Sequence, residues 1–309
     1  MKKILLIGGS GSIGKGFIKE YYDKYEFFNI SRGENLQWDL RQEFPNVKNY
    51  TASIEDCCAL EGVFEQIGDI DVVIHLAAMK HIDVAQKHPI HTCKINVVGS
   101  MNVVQCCKKF NVPITIGLST DKACASESVY GTTKFLMERC YKEANTDKNM
   151  FALCRFANVA NSSSSIIPNW KKMSIEGKPL KVTDKRMNRM MFSLSDAANF
   201  IHRTIKECET YGGGFVGVDV GMKTINIYKL AETISDNIEI IGKRTEVEKF
   251  DEDLVSMDEL PFTRELEGNY VMVYDEKQDE QYNLKEPCST KNAETMTEEY
   301  IQKLVYGEK

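Results

Sequence analysis

The chain has 309 residues, 42% hydrophobic and 27% charged, which is enough to bury the core of one or two domains. A formal net charge of -6 argues against nucleic acid or an anionic membrane as the main partner. Ten cysteines occur without a Cys-x-x-Cys or a Cys/His set at zinc spacing, so neither a disulfide framework nor a metal is expected, and reduced cytosolic thiols are.

Met1-Lys2-Lys3 leads straight into Ile4-Leu5-Leu6-Ile7 and then glycines, an apolar run too short for a secretory signal. No stretch reaches the apolar length of a membrane span, so a cytoplasmic protein is expected. Short β-branched runs at 3–7, 27–30, 47–50, 71–76, 113–118 and 150–156 alternate with helical patterns, notably 89–110 and 128–144. That alternation predicts an α/β fold: a Rossmann-type, doubly wound parallel sheet with strands covered on both faces. After Val159 the pattern changes to a polar turn at 162–165, a short helix at 166–175, a helix at 195–208 and a strand at 215–220. From Gly242 onward acidic residues accumulate and apolar runs thin out. The sheet domain is accordingly expected over 1–160 and 193–220, and a smaller, mostly C-terminal lobe over 161–192 and 221–309.

Gly8-Gly9-Ser10-Gly11-Ser12-Ile13-Gly14 joins the first strand to the first helix and satisfies Gly-x-Gly-x-x-Gly. Glycines let the backbone turn sharply and approach a pyrophosphate, which then meets the free amides of a helix N-terminus. An ordinary strand–helix turn is the competing reading; the position on the first strand of a βαβ chain favours dinucleotide binding. The second strand ends in Asn29-Ile30-Ser31-Arg32, with no carboxylate before Glu34. This favours NADP over NAD, because arginine accommodates a 2′-phosphate where an acid would grip ribose hydroxyls. Tyr130 and Lys134 lie one helical turn apart on one face, after Ser119-Thr120-Asp121-Lys122 at the end of the fifth strand. His75 and His81 flank Ala77-Ala78 without a partner at ligand spacing and read as structural. Met187, Met190 and Met191 read as packing.

The order of glycine loop, Ser-Thr-Asp-Lys and Tyr-x-x-x-Lys resembles the extended short-chain dehydrogenase/reductase family. The resemblance implies Tyr130 as acid/base, Lys134 lowering its pKa and holding the nicotinamide ribose, and Thr120 polarising a sugar hydroxyl. Leu118-Ser119-Thr120-Asp121-Lys122-Ala123, His75-Leu76-Ala77-Ala78-Met79-Lys80-His81 and Arg155-Phe156-Ala157-Asn158-Val159 further resemble the UDP-N-acetylglucosamine 4,6-dehydratase subgroup. So do Asn96-Val97-Val98-Gly99, Ser165-Ile166-Ile167-Pro168, Val182-Thr183-Asp184 followed by Arg189, and Cys288-Ser289-Thr290-Lys291-Asn292. For the cofactor, the resemblance adds Ser53, Ile54, Leu76, Ala77, Ala78, Lys80 and Asn96 to the glycine loop, Ser31, Arg32, Tyr130 and Lys134. For the substrate, a UDP-linked amino sugar held by the smaller lobe, it implies Lys80, Asn158, Ser165, Arg189 and Arg244. It also implies inversion at C5, a UDP-4-keto-6-deoxy product for surface glycan or nonulosonic acids such as pseudaminic acid, and a homo-oligomer, dimer or hexamer.

A 4,6-dehydratase removes hydride from C4, and the resulting ketone acidifies the C5 proton. A base takes that proton, an acid protonates the departing C6 hydroxyl, and the hydride returns at C6. Tyr130, Asp121 and Lys122 supply three proton-handling groups for these steps. Lys122 then needs a lowered pKa, expected from burial and from Lys134 or Lys80, and Asp121 a raised one, the two titrating as a pair. Several positions depart from the subgroup. Ser53 stands in place of an aspartate, Ser126-Glu127-Ser128 in place of Pro-x-Asn, and Gln86 in place of a glutamate. Asn161-Ser162-Ser163-Ser164-Ser165 replaces Gly-Ser-x-Gly-Ser, and Arg244-Thr245-Glu246-Val247-Glu248-Lys249 is one residue longer than Arg-Pro-Gly-Glu-Lys, which makes Glu248 a poor match. These changes surround the substrate, so three readings stay open. One is the complete dehydratase. The second is a related enzyme doing part of the sequence: one forming or using a 5,6-ene, an epimerase or a reductase. The third is a non-catalytic NADP-sensing protein, against which the intact Thr120, Asp121, Lys122, Tyr130 and Lys134 count.

Overall fold

Runs of Ile, Leu, Val and Phe too dense for one buried face become strands covered on both sides, and the central ones are buried along their whole length. A computed structural model describes residues 1–163 and 165–307; Ser164 of the expected polar turn, Glu308 and Lys309 lie outside the described residues. Nine strands form the main sheet: β1 (Lys2–Ile7), β2 (Tyr25–Ser31), β3 (Lys48–Thr51), β4 (Val72–His75), β5 (Ile114–Thr120), β6 (Met150–Phe156), β7 (Val216–Asp219), β8 (Thr263–Leu266) and β9 (Tyr270–Val273). Their order is β8-β9-β7-β6-β5-β4-β1-β2-β3. The strands from β1 to β7 pair in parallel. The winding direction reverses between β1 and β4, and in such sheets ligands bind at the carboxyl ends beside that switch point. The expected Rossmann-type α/β fold is present.

Helices cover the sheet. Ser12–Tyr21 packs on Leu194–Tyr211, Cys57–Ile67 on Gly99–Lys109, and Val129–Ala144 on β5 and β6. Local chemistry fixes their starts. Ser128 accepts a hydrogen bond from the Gly131 amide, and Ser193 with Asp196 forms a capping box. No helix among the described residues is long and apolar enough to cross a membrane.

Two elements differ from the sequence reading. The single helix expected over 89–110 is Pro89–Cys93, a π-helical turn Lys94–Val98 and Gly99–Lys109. A π turn adds a residue without disturbing the apolar pattern on either side, so periodicity does not reveal it. The second difference is an antiparallel hairpin, β8 and β9, which extends the main sheet next to β7, although its residues were expected in the irregular lobe. Its turn residues Gly268 and Asn269 both have positive φ, a recognised hairpin signal that the acidic flanks obscure. A second, smaller core gathers Ile167, Trp170, Leu180, Leu230, Leu304 and Val305. Met187 and Met191 pack into it, and Met190 into the main core.

Candidate active site

A cleft of about 480 Å³ runs along the carboxyl ends of β1, β2, β4, β5 and β6. At one end the turn after β1 brings Gly8 and residues 10–14 to its wall. Gly14 cannot carry a side chain, because a Cβ there would lie 2.3 Å from the Gly9 carbonyl oxygen. Gly9 itself lies behind the loop, against Leu6 and Asn29, and does not line the cleft. No side chain caps the start of helix Ser12–Tyr21, so its first amides stay available to an anion from the cleft.

Ser31, Arg32 and Ile54 line the next stretch, while Ser53 does not. Ser53 instead donates to Glu55, whose carboxylate stands 3.7 Å from the Arg32 guanidinium. Sequence reasoning passed over Glu55. Leu76, Ala77, Ala78 and Lys80 form the wall beyond β4. Asn96 sits behind them, in the π turn: its Oδ1 accepts from the Met79 amide at 2.8 Å, and its Nδ2 donates to the Met79 carbonyl and to Thr133 Oγ1. It shapes the wall without reaching the cleft. Lys80 Nζ donates to the Ser163 carbonyl at 2.8 Å, and the Ser163 amide donates to Ser12 Oγ at 2.7 Å, so the serine segment is tied across the glycine loop. Burial lowers the Lys80 pKa.

The catalytic candidates converge at the other end. Thr120 closes β5, Asp121 and Lys122 form the short turn after it, and Tyr130 and Lys134 stand on helix Val129–Ala144. All five line the cleft. Gly131 holds these pieces in register, since a Cβ there would lie 2.0 Å from the Lys122 carbonyl oxygen. Asp121 Oδ1 accepts from Thr120 Oγ1 at 2.7 Å, from the Lys122 amide at 2.9 Å and from Lys122 Nζ at 3.0 Å. Lys122 Nζ also stands 3.8 Å from Glu252 Oε1, a buried group that sequence reasoning missed.

Two electrostatic expectations are corrected. Burial does disfavour the Lys122 ammonium, but Asp121 and Glu252 outweigh it, so the pKa of Lys122 is raised rather than lowered. Burial raises the Tyr130 pKa, and the cation that opposes this is Lys122 rather than Lys134. Lys134 donates to the Leu118 carbonyl at 2.6 Å, and burial lowers its own pKa to about 8 against the pull of Glu138.

The residues assigned to the sugar nucleotide are dispersed. Asn158 lines the cleft and donates to the Met190 carbonyl. Ser165 precedes helix Ile166–Ile175 with its hydroxyl buried and unpartnered. Arg189 does not reach the cleft wall; its guanidinium holds the carbonyls of Asn188, Lys249 and Phe250 at 2.7 to 2.9 Å. Arg244 is exposed and grips buried Glu248, whose pKa burial pushes up but Arg244 brings below the usual value. His75 is buried behind the cleft on Tyr141, and burial, helped by Lys134, lowers its pKa to about 3.

A family model described as polysaccharide biosynthesis protein matches residues 4–298. The UDP-N-acetylglucosamine 4,6-dehydratase (inverting) of Campylobacter jejuni is 34% identical over 283 residues, covering 88% of this chain and 82% of that protein. The UDP-glucose 4-epimerase of Rickettsia canadensis is 30% identical over 287 residues, with 88% and 82% covered. Among solved structures, Pen from Bacillus thuringiensis matches with a TM-score of 0.88 at 27% identity, covering 98% of this chain and 96% of that one.

Proposed function

The chain belongs to the polysaccharide biosynthesis protein family, and we propose that it is an NADP-dependent UDP-N-acetylglucosamine 4,6-dehydratase that inverts C5. The observation that carries this reading is the Asp121–Lys122 ion pair beside Tyr130 in one cleft. Oxidation at C4 needs one proton acceptor, whereas elimination of water across C5 and C6 needs an acid and a base more. An epimerase has no work for that pair, so the reading suggested by the Rickettsia relative ranks second.

The glycine loop, Arg32, the wall 76–80 and Lys134 suit a dinucleotide: free helix amides and a guanidinium for phosphates, and an ammonium for a ribose. When bound, the nicotinamide supplies reversible two-electron oxidation of the sugar. Tyr130, as the phenolate that the Lys122 ammonium favours against burial, takes the C4 hydroxyl proton, with Thr120 beside it orienting that hydroxyl. Lys122 Nζ and Asp121 share a proton over 3.0 Å. Moving it onto the carboxylate yields a neutral amine to take the C5 proton and a carboxylic acid to protonate the C6 hydroxyl. Asn158, which lines the cleft, and the smaller lobe are proposed to face the UDP group.

Incubation of the purified protein with UDP-N-acetylglucosamine, followed by mass spectrometry and NMR, tests the proposal. Loss of one water without added NADPH, with inverted C5 couplings, is expected. Unchanged mass with altered C4 couplings would mean an epimerase, and tight NADP binding without turnover a sensor.

A further inference from the structure

We propose that Glu252 is a positioning residue that sets where the proton of the Asp121–Lys122 pair resides, and thereby when Lys122 is free to act as a base. The inference rests on the dehydratase reading for its purpose but not for its geometry. Glu252, in the arm 249–252, lies just past the Arg244–Lys249 stretch, belongs to none of the motifs used above and does not line the cleft. Its carboxylate is 5% exposed; Oε1 lies 3.8 Å from Lys122 Nζ and 3.8 Å from the Arg189 guanidinium, and Oε2 is buried with no hydrogen-bond partner.

A carboxylate at this depth with an orphaned oxygen is unusual, because buried charges are normally paired and hydrogen-bonded. The backbone keeps it there. The Glu252 amide donates to Thr290 Oγ1, and the Thr290 amide donates back to the Glu252 carbonyl. Arg189 holds the same arm through the Lys249 and Phe250 carbonyls. The group is therefore built into its position, and a second carboxylate close to Lys122 has an electrostatic consequence.

The groups that face it come from each neighbouring element: Asp121 and Lys122 from the turn after β5, Arg189 from strand Asn188–Phe192, and Lys249 from its own arm. Tyr130 faces the same Asp121 and Lys122. Burial raises the Glu252 pKa, while Lys122, Arg189 and Lys249 oppose this. When Glu252 is ionised, two carboxylates hold the Lys122 ammonium, and its proton stays on nitrogen. When Glu252 is neutral, one of those charges is gone. The Nζ–H bond then breaks and an O–H bond forms on Asp121; one proton has moved, the net charge of the pair is unchanged, and Lys122 carries a free electron pair.

Glu252→Gln mimics the neutral form and Glu252→Asp keeps the charge. Competitive labelling of Lys122 with acetic anhydride across pH, read by peptide mass spectrometry, needs no turnover. Glu252→Gln should shift the labelling midpoint of Lys122 down by about one pH unit, and Glu252→Asp should leave it near wild type. An unchanged midpoint in Glu252→Gln, with thermal unfolding near wild type, overturns the proposal. With UDP-N-acetylglucosamine, the rising limb of kcat for C5 deuterium exchange should move down in the same direction, with KM within about threefold. A uniform drop in kcat with no movement of the limb would mark Glu252 as merely structural and also overturn it. If wild type does not dehydrate the sugar but the labelling shift occurs, the dehydratase reading fails and this inference stands.

Discussion

Lys122 shows how far a residue's role depends on what folds around it. It rests in an ion pair with Asp121, so in the proposed reaction it would hold a proton first and act as a base only after that proton moves. Lys122→Met should bind UDP-sugar and NADP as wild type does, yet lose water elimination by about 10²- to 10⁴-fold, the usual worth of a general base; solvent deuterium at C5, followed by NMR, should vanish with it. Retained exchange would reduce the lysine to scaffolding. Arg32 is exposed and in weak contact with Glu55, so it is free to meet a phosphate. Arg32→Ala should weaken NADP by tenfold or more and NAD far less, measured by calorimetry. His75 makes one contribution to the pH dependence of stability. Its pKa is about 3 in the folded chain against an ordinary 6.5, so below pH 6.5 the unfolded chain takes up a proton that the folded chain refuses. This contribution is complete above pH 6.5 and falls as pH drops toward 3. Between pH 7 and 5 this costs about 2 kcal/mol. His75→Phe should lose about 1 kcal/mol at pH 7 with the Tyr141 bond, but should lose less than wild type on going to pH 5 in urea titrations.

At the scale of elements, the π turn Lys94–Val98 is the joint that makes the cleft wall. It points Asn96 at the backbone of Met79 and at Thr133, so one side chain ties three segments. Asn96→Ala strands the Met79 amide and carbonyl in a partly buried place and should cost about 2–4 kcal/mol. Hydrogen exchange at the Met79 amide should rise by more than at amides of β4. Equal exchange at both would mean that the wall is held by its own packing. The strands, the Tyr130 helix and the glycine turn were all legible, because period and turn chemistry are local. The π turn was not, since both of its flanks keep a helical pattern. The hairpin of β8 and β9 was legible in Gly268-Asn269, but a surrounding acidic composition hid it.

At the scale of the whole molecule, apolar side chains lie exposed along neighbouring helices. Ile90 and Met101 from the helices on either side of the π turn, Val98 from the turn itself, and Phe135 and Leu136 from Val129–Ala144 are 42% to 75% exposed. Helices Gly99–Lys109 and Val129–Ala144 pack side by side, and a chain of this charge does not expose such a face to water without cost. A second copy covering it about a two-fold axis is expected, since the same helices then bury each other. Light scattering should report at least a dimer, and Phe135→Glu should shift the protein toward monomer at micromolar concentration with little change in its far-ultraviolet circular dichroism. A wild-type monomer would refute the interface.

What the sequence determined by itself was whatever is written locally: alternating apolar runs that become a parallel sheet, glycines that shape a phosphate turn, and Thr120 to Lys134 held within one strand–turn–helix unit. Spacing along the chain is enough for these, because each is completed by neighbours a few residues away. The tertiary structure alone decided the state of those groups. Asp121 and Lys122 could be read as an acid and a base, but the sign of the lysine's shift came from Asp121 acting together with Glu252, far along the chain. Arg189 read as an anion binder, and only the fold shows that its guanidinium also clamps three backbone carbonyls. A pKa follows the field of every charge nearby in space and the water that burial removes, and neither quantity is carried by the order of residues.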